Sequence, residues 1–462
     1  MRIKDFANLK EWAEQQWGQA ALGDERRTQR AVAIGQAIAA NPDASLPEQM
    51  LSWGNLKAAY RLLSETDVSH RALSQPHWEN TRRQAKGSDA EVVLFVQDTS
   101  ELDYSRQSQT KDLGHIGDSH GRGLMLHSCL AVIPTPGNAE ILGLAAQRVW
   151  RRTEIRKGTE TRAQRATRRT EADVWAEVVE AIGVAPTATQ QLWVSVGDRG
   201  SDLFSDLRRS KAMNWHCLFR ACQDRVIVDA EGSKGRLIQR ARTLSAMAQT
   251  TLALRSRDGQ PKQTLDLQVA WFPVEIVPPV RGTERHELPQ SGWCIRVWQA
   301  TQHPEALEWI LFTTVVVNDA TDALRQVEWY ATRWTIEEYH KCLKTGCAVE
   351  QRQLKTADRL ERLLGFLAIV AVRLLQLSTL ARTYPASLAQ DYVPTVMLNI
   401  LVARLQLPHT PRTLTEFWHA LARLGGFIGR KGDGSPGWQT LWRGWSRLQD
   451  FCWAASLAIE ES

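Results

Sequence analysis

Two short runs, Val92-Val93-Leu94-Phe95-Val96 and Leu192-Trp193-Val194-Ser195-Val196, constrain the fold more than any other feature of the chain. A strand that is apolar along its length, rather than at alternate positions, has both faces covered, as in a sheet layered with helices. Each run ends in a carboxylate, through Gln97-Asp98-Thr99 in the first case and Gly197-Asp198 in the second. Between them lie two further strand candidates, Leu124 to Ile133 and Ile141 to Val149, joined by the turn-rich PTPGN. A helical stretch, Ala172 to Gly183, precedes the second run, and another helix and the strand Trp215 to Arg220 follow it.

Three adjacent strands, helix, strand, helix, strand is the order of a ribonuclease-H-like mixed α/β sheet. In that order the ends of the first and fourth strands are neighbours, so Asp98 and Asp198 are expected side by side. From about residue 222 to 315 the chain reads as a β-rich insertion, with runs Leu265 to Val274, Trp293 to Trp298 and Glu308 to Val317. Residues 1–75 read as a helical module and 376–462 as another, the latter broken by Pro408, Pro411 and the stretch Gly425 to Gly437. The expected division is therefore 1–75, 76–375 with the insertion, and 376–462. A length of 462 residues exceeds one ordinary core.

A third carboxylate belongs with the two aspartates. In YATRWTIEEYHKCLKTGC, Tyr330, Arg333, Glu337, Lys341 and Lys344 fall within roughly 80° of one another on an α-helix. Ile336, Tyr339 and Leu343 take the opposite side. A phenol, a guanidinium, a carboxylate and two amines on one face suit an anion held together with a metal. Two aspartates at strand ends and a glutamate on a helix supply hard oxygen donors for a pair of Mg²⁺ ions, with Mn²⁺ as a substitute. Two such ions support phosphoryl transfer, with water or a 3′-hydroxyl as interchangeable nucleophiles. Taken singly, each carboxylate also reads as a cap, a turn residue or half of an i,i+4 pair.

The bulk numbers fit a nucleic-acid partner. The net charge is +6 and the pI about 9.0. Asp24 caps an expected helix on which Arg26, Arg27 and Arg30 share a face, either a solvated surface or a phosphate contact. Nine basic residues and two acids lie between Arg148 and Arg169, with the same two readings. Seven cysteines form no CxxC pair, which points to reduced thiols in a cytoplasm, and His340, Cys342 and Cys347 read as packing residues rather than a zinc site. The N-terminus lacks the apolar region of a signal peptide. The longest apolar run, Leu363 to Val372, stops at Arg373 and is too short for a bilayer, so a soluble cytoplasmic protein is expected. Near the C-terminus, Trp438, Leu441, Trp442, Trp445 and Leu448 form a stripe that suits either a partner or an internal core.

The spacing Tyr330-x2-Arg333-x3-Glu337-x6-Lys344 resembles the Y-R-E-K signature of bacterial insertion-sequence transposases of the DDE superfamily. AALGDERRTQR, VQDTSELDY, GDRGSDL, TRWTIEEYHKCLKTG, VAVRLLQL and ARLGGF extend the resemblance in order over nearly the whole chain, towards the branch found in the kanamycin-resistance composite transposon. The resemblance implies that Asp98, Asp198 and Glu337 bind metal. It implies that Tyr330, Arg333 and Lys344 hold phosphates, with Lys341 on the same stripe. Arg220 matches a DNA-contacting arginine, Trp309 the tryptophan that fills the space of a flipped base, and Arg26, Arg27 and Arg30 the contacts to a transposon end. Similar enzymes work as dimers through C-terminal helices, cut both ends through a hairpin and join them to target DNA. Three departures stand out. Leu124-Met125-Leu126 replaces paired tryptophans, the segment after the third strand is basic rather than acidic, and the stretch between VAVRLLQL and ARLGGF has little similarity. A plain metal-dependent nuclease and an inactive DNA-binding repressor remain as alternatives, the latter with Met50 as a possible internal start.

Overall fold

The computed structural model describes residues 8–460 apart from 119, 154–160, 162–168, 188–189, 230, 255–262, 283, 302, 304–305 and 431–435. The chain opens with five helices: α1 (Leu9–Trp17), α2 (Glu25–Ala40), α3 (Leu46–Met50), α4 (Trp53–Leu62) and α5 (His70–Lys86). Asp24 caps α2 as expected, its carboxylate accepting from the Arg26 amide at 2.7 Å.

The strands follow. β1 (Val92–Asp103), β2 (Gly114–Ile116), β3 (Gly121–Thr135) and β4 (Asn138–Trp150) lead to α6 (Val174–Ile182), β5 (Leu192–Gly197), α7 (Phe204–Ala212) and β6 (His216–Arg220). β3 pairs antiparallel with β1 and β4, while β5 runs parallel to β1 and β6 parallel to β5. The order β4-β3-β1-β5-β6 makes the first and fourth long strands neighbours, as expected. Both apolar runs are buried, with Val93 to Val96 and Trp193 to Val196 at 4% exposure or less.

The β-rich stretch does not stand apart. It contains β7 (Val226–Asp229), β8 (Lys234–Arg236), α8 (Leu237–Arg242), β9 (Ala248–Leu254), β10 (Gln263–Ile276), β11 (Gln290–Trp298) and β12 (Glu308–Thr313). β12 pairs with β6, so among the described residues all twelve strands form one sheet. Its separate apolar cluster, around Phe219, Ile227, Phe272 and Phe312, packs one face of that extension.

After the sheet come α9 (Ala320–Ala331), α10 (Trp334–Lys341), a π-helical turn (Cys342–Gly346) and α11 (Ala357–Thr383). The chain ends in α12 (Ala389–Tyr392), α13 (Thr395–Leu405), α14 (Leu414–Leu424) and α15 (Trp438–Glu460). Two expected boundaries fall inside helices, since α5 runs through residues 75–76 and α11 through 375–376. One apolar cluster takes in Trp17, Leu94, Leu130, Leu367 and Trp445, so the three expected regions share a core. The apolar element around Leu363 is also longer than the sequence run. Ala357–Leu380 is long and apolar enough to cross a membrane, but its apolar stretch is wholly buried within the protein, as in a core helix.

The aromatic stripe of α15 is part of that core. Leu441, Trp442, Trp445 and Leu448 are 9% exposed or less, and α15 packs closely along α14. The side chain of Trp438 lies outside the described residues. For these four residues the internal reading holds, and the partner-facing one does not. Glycine permits the crossing: a Cβ on Gly444 would lie 1.9 Å from the Leu421 carbonyl oxygen, and one on Gly425 1.8 Å from that of Thr440.

Candidate active site

Parallel pairing of β1 with β5 puts Val96 opposite Val196. Two residues further on, Asp98 and Asp198 stand at the same level of neighbouring strands. Asp198 lies just past the end of β5, but Asp98 is still within β1, which runs on beyond the expected strand end to Asp103 and keeps Asp98 paired with Ser128 of β3. Helix α10 packs on β1 and brings Glu337 over this edge. The edge is accessible: the side chain of Asp98 is 21% exposed and that of Glu337 39%.

The expected continuous helix from Tyr330 to Lys344 is interrupted twice. α9 ends at Ala331, and Thr332 and Arg333 form a turn before α10 begins. Beyond Lys341 the helix widens, and the Cys347 amide donates to the Cys342 carbonyl, five residues back, at 2.9 Å. Such π-turns are frequent at functional sites because they re-aim the residues after them. Here the turn carries Lys344, whose Nζ lies 3.3 Å from Glu350 Oε1. Lys341 is exposed.

Arg333 is the electrostatic centre of the site. Its Nη2 donates to Glu337 Oε1 at 2.7 Å, and its guanidinium carbon lies 5.8 Å from the Tyr330 ring centroid and 5.5 Å from that of Trp334. Burial works against its charge, but the neighbouring Tyr330, Glu337 and Asp98 outweigh it and raise its pKa. Burial raises the pKa of the Tyr330 phenol. Tyr330 meets Trp309 edge-to-face at 5.0 Å, and Trp309 is buried at 6% exposure. Arg220 Nη2 donates to the Glu308 carbonyl at 2.7 Å, and burial, with Arg199 and Arg333 nearby, lowers its pKa. Arg199, Arg220, Arg242 and Glu308 line a cavity of about 300 Å³.

Tyr330, Arg333, Glu337, Asp98, Asp198, Arg220 and Trp309 thus belong to one neighbourhood. The N-terminal arginines belong to another element, α2. Arg27 is tied to Glu65 at 2.6 Å, Arg30 donates to Asn55 Oδ1 at 3.1 Å, and Arg26 is exposed. Most of the basic stretch after β4 lies outside the described residues. At its ends Arg151 pairs with Asp358 and Glu361, Arg152 with Glu101 and Glu171, and Arg169 with Glu177.

Three carboxylates fit a divalent cation in chemistry, offering hard oxygen donors from the middle of β1, the end of β5 and a helix. In this conformation each is engaged elsewhere. Asp98 Oδ2 faces His340 Nδ1 at 3.6 Å, Asp198 Oδ1 accepts from the Gly200 amide at 2.7 Å, and Glu337 holds Arg333. Among the described residues no three His, Cys, Asp or Glu side chains converge on one point. Arg333 supplies positive charge beside two of the three carboxylates.

Sequence reading passes over the polar groups beneath the site. Thr99 Oγ1 bonds His127 Nδ1 (2.8 Å), His127 Nε2 bonds Gln97 Oε1 (3.0 Å), and Gln97 Nε2 donates to Ser195 Oγ (2.9 Å). A second chain joins His340, Ser128, Gln147 and His70. Strand register brings these groups together, and no local motif announces them.

Residues 9–68 match the family model "Transposase DNA-binding", residues 127–373 "Transposase DDE domain" and residues 369–462 "Transposase Tn5 dimerisation domain". The DDE match contains Asp198 and Glu337, while Asp98 lies upstream of it. Among solved structures, a piggyBac transposase synaptic complex with hairpin DNA aligns over 83% of this chain and 73% of its own, at 10% identity and a TM-score of 0.35. That similarity is too low to carry an argument. DDE domains depend on a divalent metal, and the flanking matches make DNA and a second copy of the chain its partners. With the DDE match covering more than half of its length, the chain belongs to the DDE transposase family and is a DNA transposase, an endonuclease and strand transferase that acts on DNA.

Proposed function

We propose that the chain is a cut-and-paste transposase of the bacterial insertion-sequence branch, with a ribonuclease-H-like sheet and Asp98, Asp198 and Glu337 as its metal-binding triad. The observation that carries this reading is the matched level of Asp98 and Asp198 on adjacent parallel strands, with Glu337 on the helix packed over them. Two Mg²⁺ ions, or Mn²⁺ in their place, would supply an activated oxygen nucleophile and stabilisation of the leaving oxygen when bound.

The side chains do the rest. Glu337 would serve as a metal ligand once released from Arg333, whose guanidinium would then turn to a phosphate beside the scissile bond, where its fork of donors matches two oxygens. Tyr330 and Lys344 hold neighbouring phosphates, and Lys341 extends the same surface. Arg220 contacts the backbone from β6. Trp309 leaves its packing against Tyr330 to fill the gap of an extruded base, offsetting part of the unstacking penalty. Arg26, Arg27 and Arg30 hold the element's terminal DNA, with Arg27 giving up Glu65 to do so. Water cleaves the end to leave a 3′-hydroxyl. This hydroxyl attacks the opposite strand to give a hairpin and, after hairpin opening, attacks target DNA. A homodimer formed through the C-terminal helices holds two ends, using faces other than the buried Leu441 to Leu448 stripe.

The test is cleavage of DNA carrying the element's own terminal repeats, with Mg²⁺ or Mn²⁺, by the wild type, Asp98→Ala and Asp198→Ala. Excised, hairpinned and joined products that vanish in both variants support the reading. Nicking without joining favours a plain nuclease. Binding without cleavage by the wild type favours a repressor.

A further inference from the structure

The sheet carries a polar row where an apolar one would pack more simply. Asp98 on β1 is paired with Ser128 on β3, and Ser128 with Gln147 on β4. Residues directly opposite one another in a sheet point to the same face, so these three side chains stand in line. Two helices cover them: α10 supplies Tyr339 and His340, and α5 supplies His70. Ser128, Gln147 and Tyr339 are 1% exposed or less, and both histidines are 7% exposed. A buried polar row is tolerable only when its groups are satisfied, and here the hydrogen bonds run in one direction.

His70 Nε2 lies 2.9 Å from Gln147 Oε1, a group that only accepts, so this nitrogen carries the hydrogen. Burial pushes His70 down to about 4, which keeps the ring neutral. This amide orientation turns the other end of Gln147 towards Ser128 and Tyr339. Its Nε2 donates to Ser128 Oγ at 2.9 Å and to Tyr339 Oη at 3.0 Å. Ser128 Oγ thus accepts from Gln147, and its hydroxyl hydrogen can turn to His340 Nε2, 3.4 Å away. With Nε2 accepting from Ser128, His340 presents its Nδ1–H towards Asp98 Oδ2, 3.6 Å away.

We infer that His340 is a positioning residue: its Nδ1–H, fixed by the chain His70–Gln147–Ser128, holds one oxygen of Asp98 so that the other is presented to metal. Partners of this kind orient ligands and tune their affinity. The chain also begins on α5, the last helix of the N-terminal group, so hydrogen bonds link the packing of that helix to His340, which faces the active-site carboxylate. The inference rests on the proposed metal role of Asp98.

Two measurements test it. The first is the two-bond proton–nitrogen spectrum of metal-free protein labelled with ¹⁵N-histidine, with His340 identified by its loss in His340→Asn. The expected signature is a protonated Nδ1 and an accepting Nε2, and Ser128→Ala should release that constraint. A protonated Nε2 in the wild type overturns the inference, whatever the variants do. The second is Mn²⁺ titration followed by electron paramagnetic resonance. Asparagine reproduces a donor at the Nδ1 position and glutamine one at Nε2. His340→Asn should bind Mn²⁺ close to wild type, while His340→Gln and His340→Ala weaken it about 10–100-fold. Equal binding by the Asn and Gln variants overturns the inference. Mn²⁺ binding unchanged in Asp98→Ala would instead overturn the ligand assignment beneath it.

Discussion

Helices α10 and α15 each present a stripe of residues at helical spacing, and the two are built by different rules. On α15, Leu441, Trp442, Trp445 and Leu448 sit on an uninterrupted helix and are buried against α14. Apolar burial is non-directional, so regular spacing is enough to bring every member of the stripe to the same surface. On α10 the stripe is polar and partly open, and the helix is broken before it at Thr332 and Arg333 and widened after it at Cys342. Charged groups need directional partners, and each break lets one of them find its own: Arg333 reaches Glu337, and Lys344 reaches Glu350. Regularity serves the core, and irregularity serves the site.

Exchanging the demands on the two stripes is the sharpest way to break this comparison. Glu337→Ala should lower DNA cleavage by on the order of 10³-fold or more, the loss seen when a group acting directly on the transition state is removed. Its melting curve should move little, because Arg333 keeps its packing beside Tyr330 and Trp334. Trp445→Ala should do the reverse, removing about 3–5 kcal/mol of stability through a buried cavity while sparing cleavage per folded molecule. Denaturant titration beside an end-cleavage assay reads both. A Trp445→Ala variant of unchanged stability would place that side chain at an interface after all.

Protons should separate the two regions next. Burial pushes His70 and His77 down to about 4, and His127 to about 3. His77 shows why: Nδ1 bonds Gln16 Oε1 at 2.7 Å, and Nε2 accepts from the Leu144 amide at 3.1 Å, so the neutral ring is fully used. In the unfolded chain these rings protonate near pH 6.5. Between pH 6.5 and 4 the unfolded state therefore binds more protons than the folded one, and stability falls as the pH falls. At pH 5 the loss should be on the order of 2 kcal/mol for each such histidine. The stripe of α15 contains no titratable group. Hydrogen exchange at pH 5 should open α1, α5 and β4 before α14 and α15, and His77→Gln should flatten the decline.

The same contrast explains what could be read from the residues alone. The strand pair that places Asp98 beside Asp198 was legible because unbroken apolar runs have few alternatives. Helical spacing grouped Tyr330, Arg333 and Glu337 correctly, since a single turn at residues 332–333 leaves them neighbours. It could not show the π-turn, which depends on tertiary packing around Cys342 and Cys347. Nor could it tell an internal aromatic stripe from an external one, because burial looks alike from either side. The expected boundaries at 75 and 375 follow changes in composition, while α5 and α11 carry the backbone straight through them. The row from Asp98 to Gln147 was hidden because it exists only in the register of three strands.

The smallest effect concerns Lys344, whose ion pair with Glu350 is the outer end of the polar stripe. Both side chains are about a third exposed, and Glu350 Oε1 also accepts from the Asp103 amide at 3.0 Å. Half-exposed pairs of this kind contribute about 0–1 kcal/mol, so Glu350→Ala should barely move the unfolding midpoint. Its influence on DNA should be clearer, because the carboxylate competes with phosphate for the Lys344 ammonium. Removing it should tighten binding of the element's end roughly two- to fivefold at low ionic strength, the equivalent of that pair energy. The gain should fade as salt screens the contact. If affinity at low salt is unchanged, Lys344 does not face DNA, and the π-turn serves packing alone, as the regular turns of α15 do.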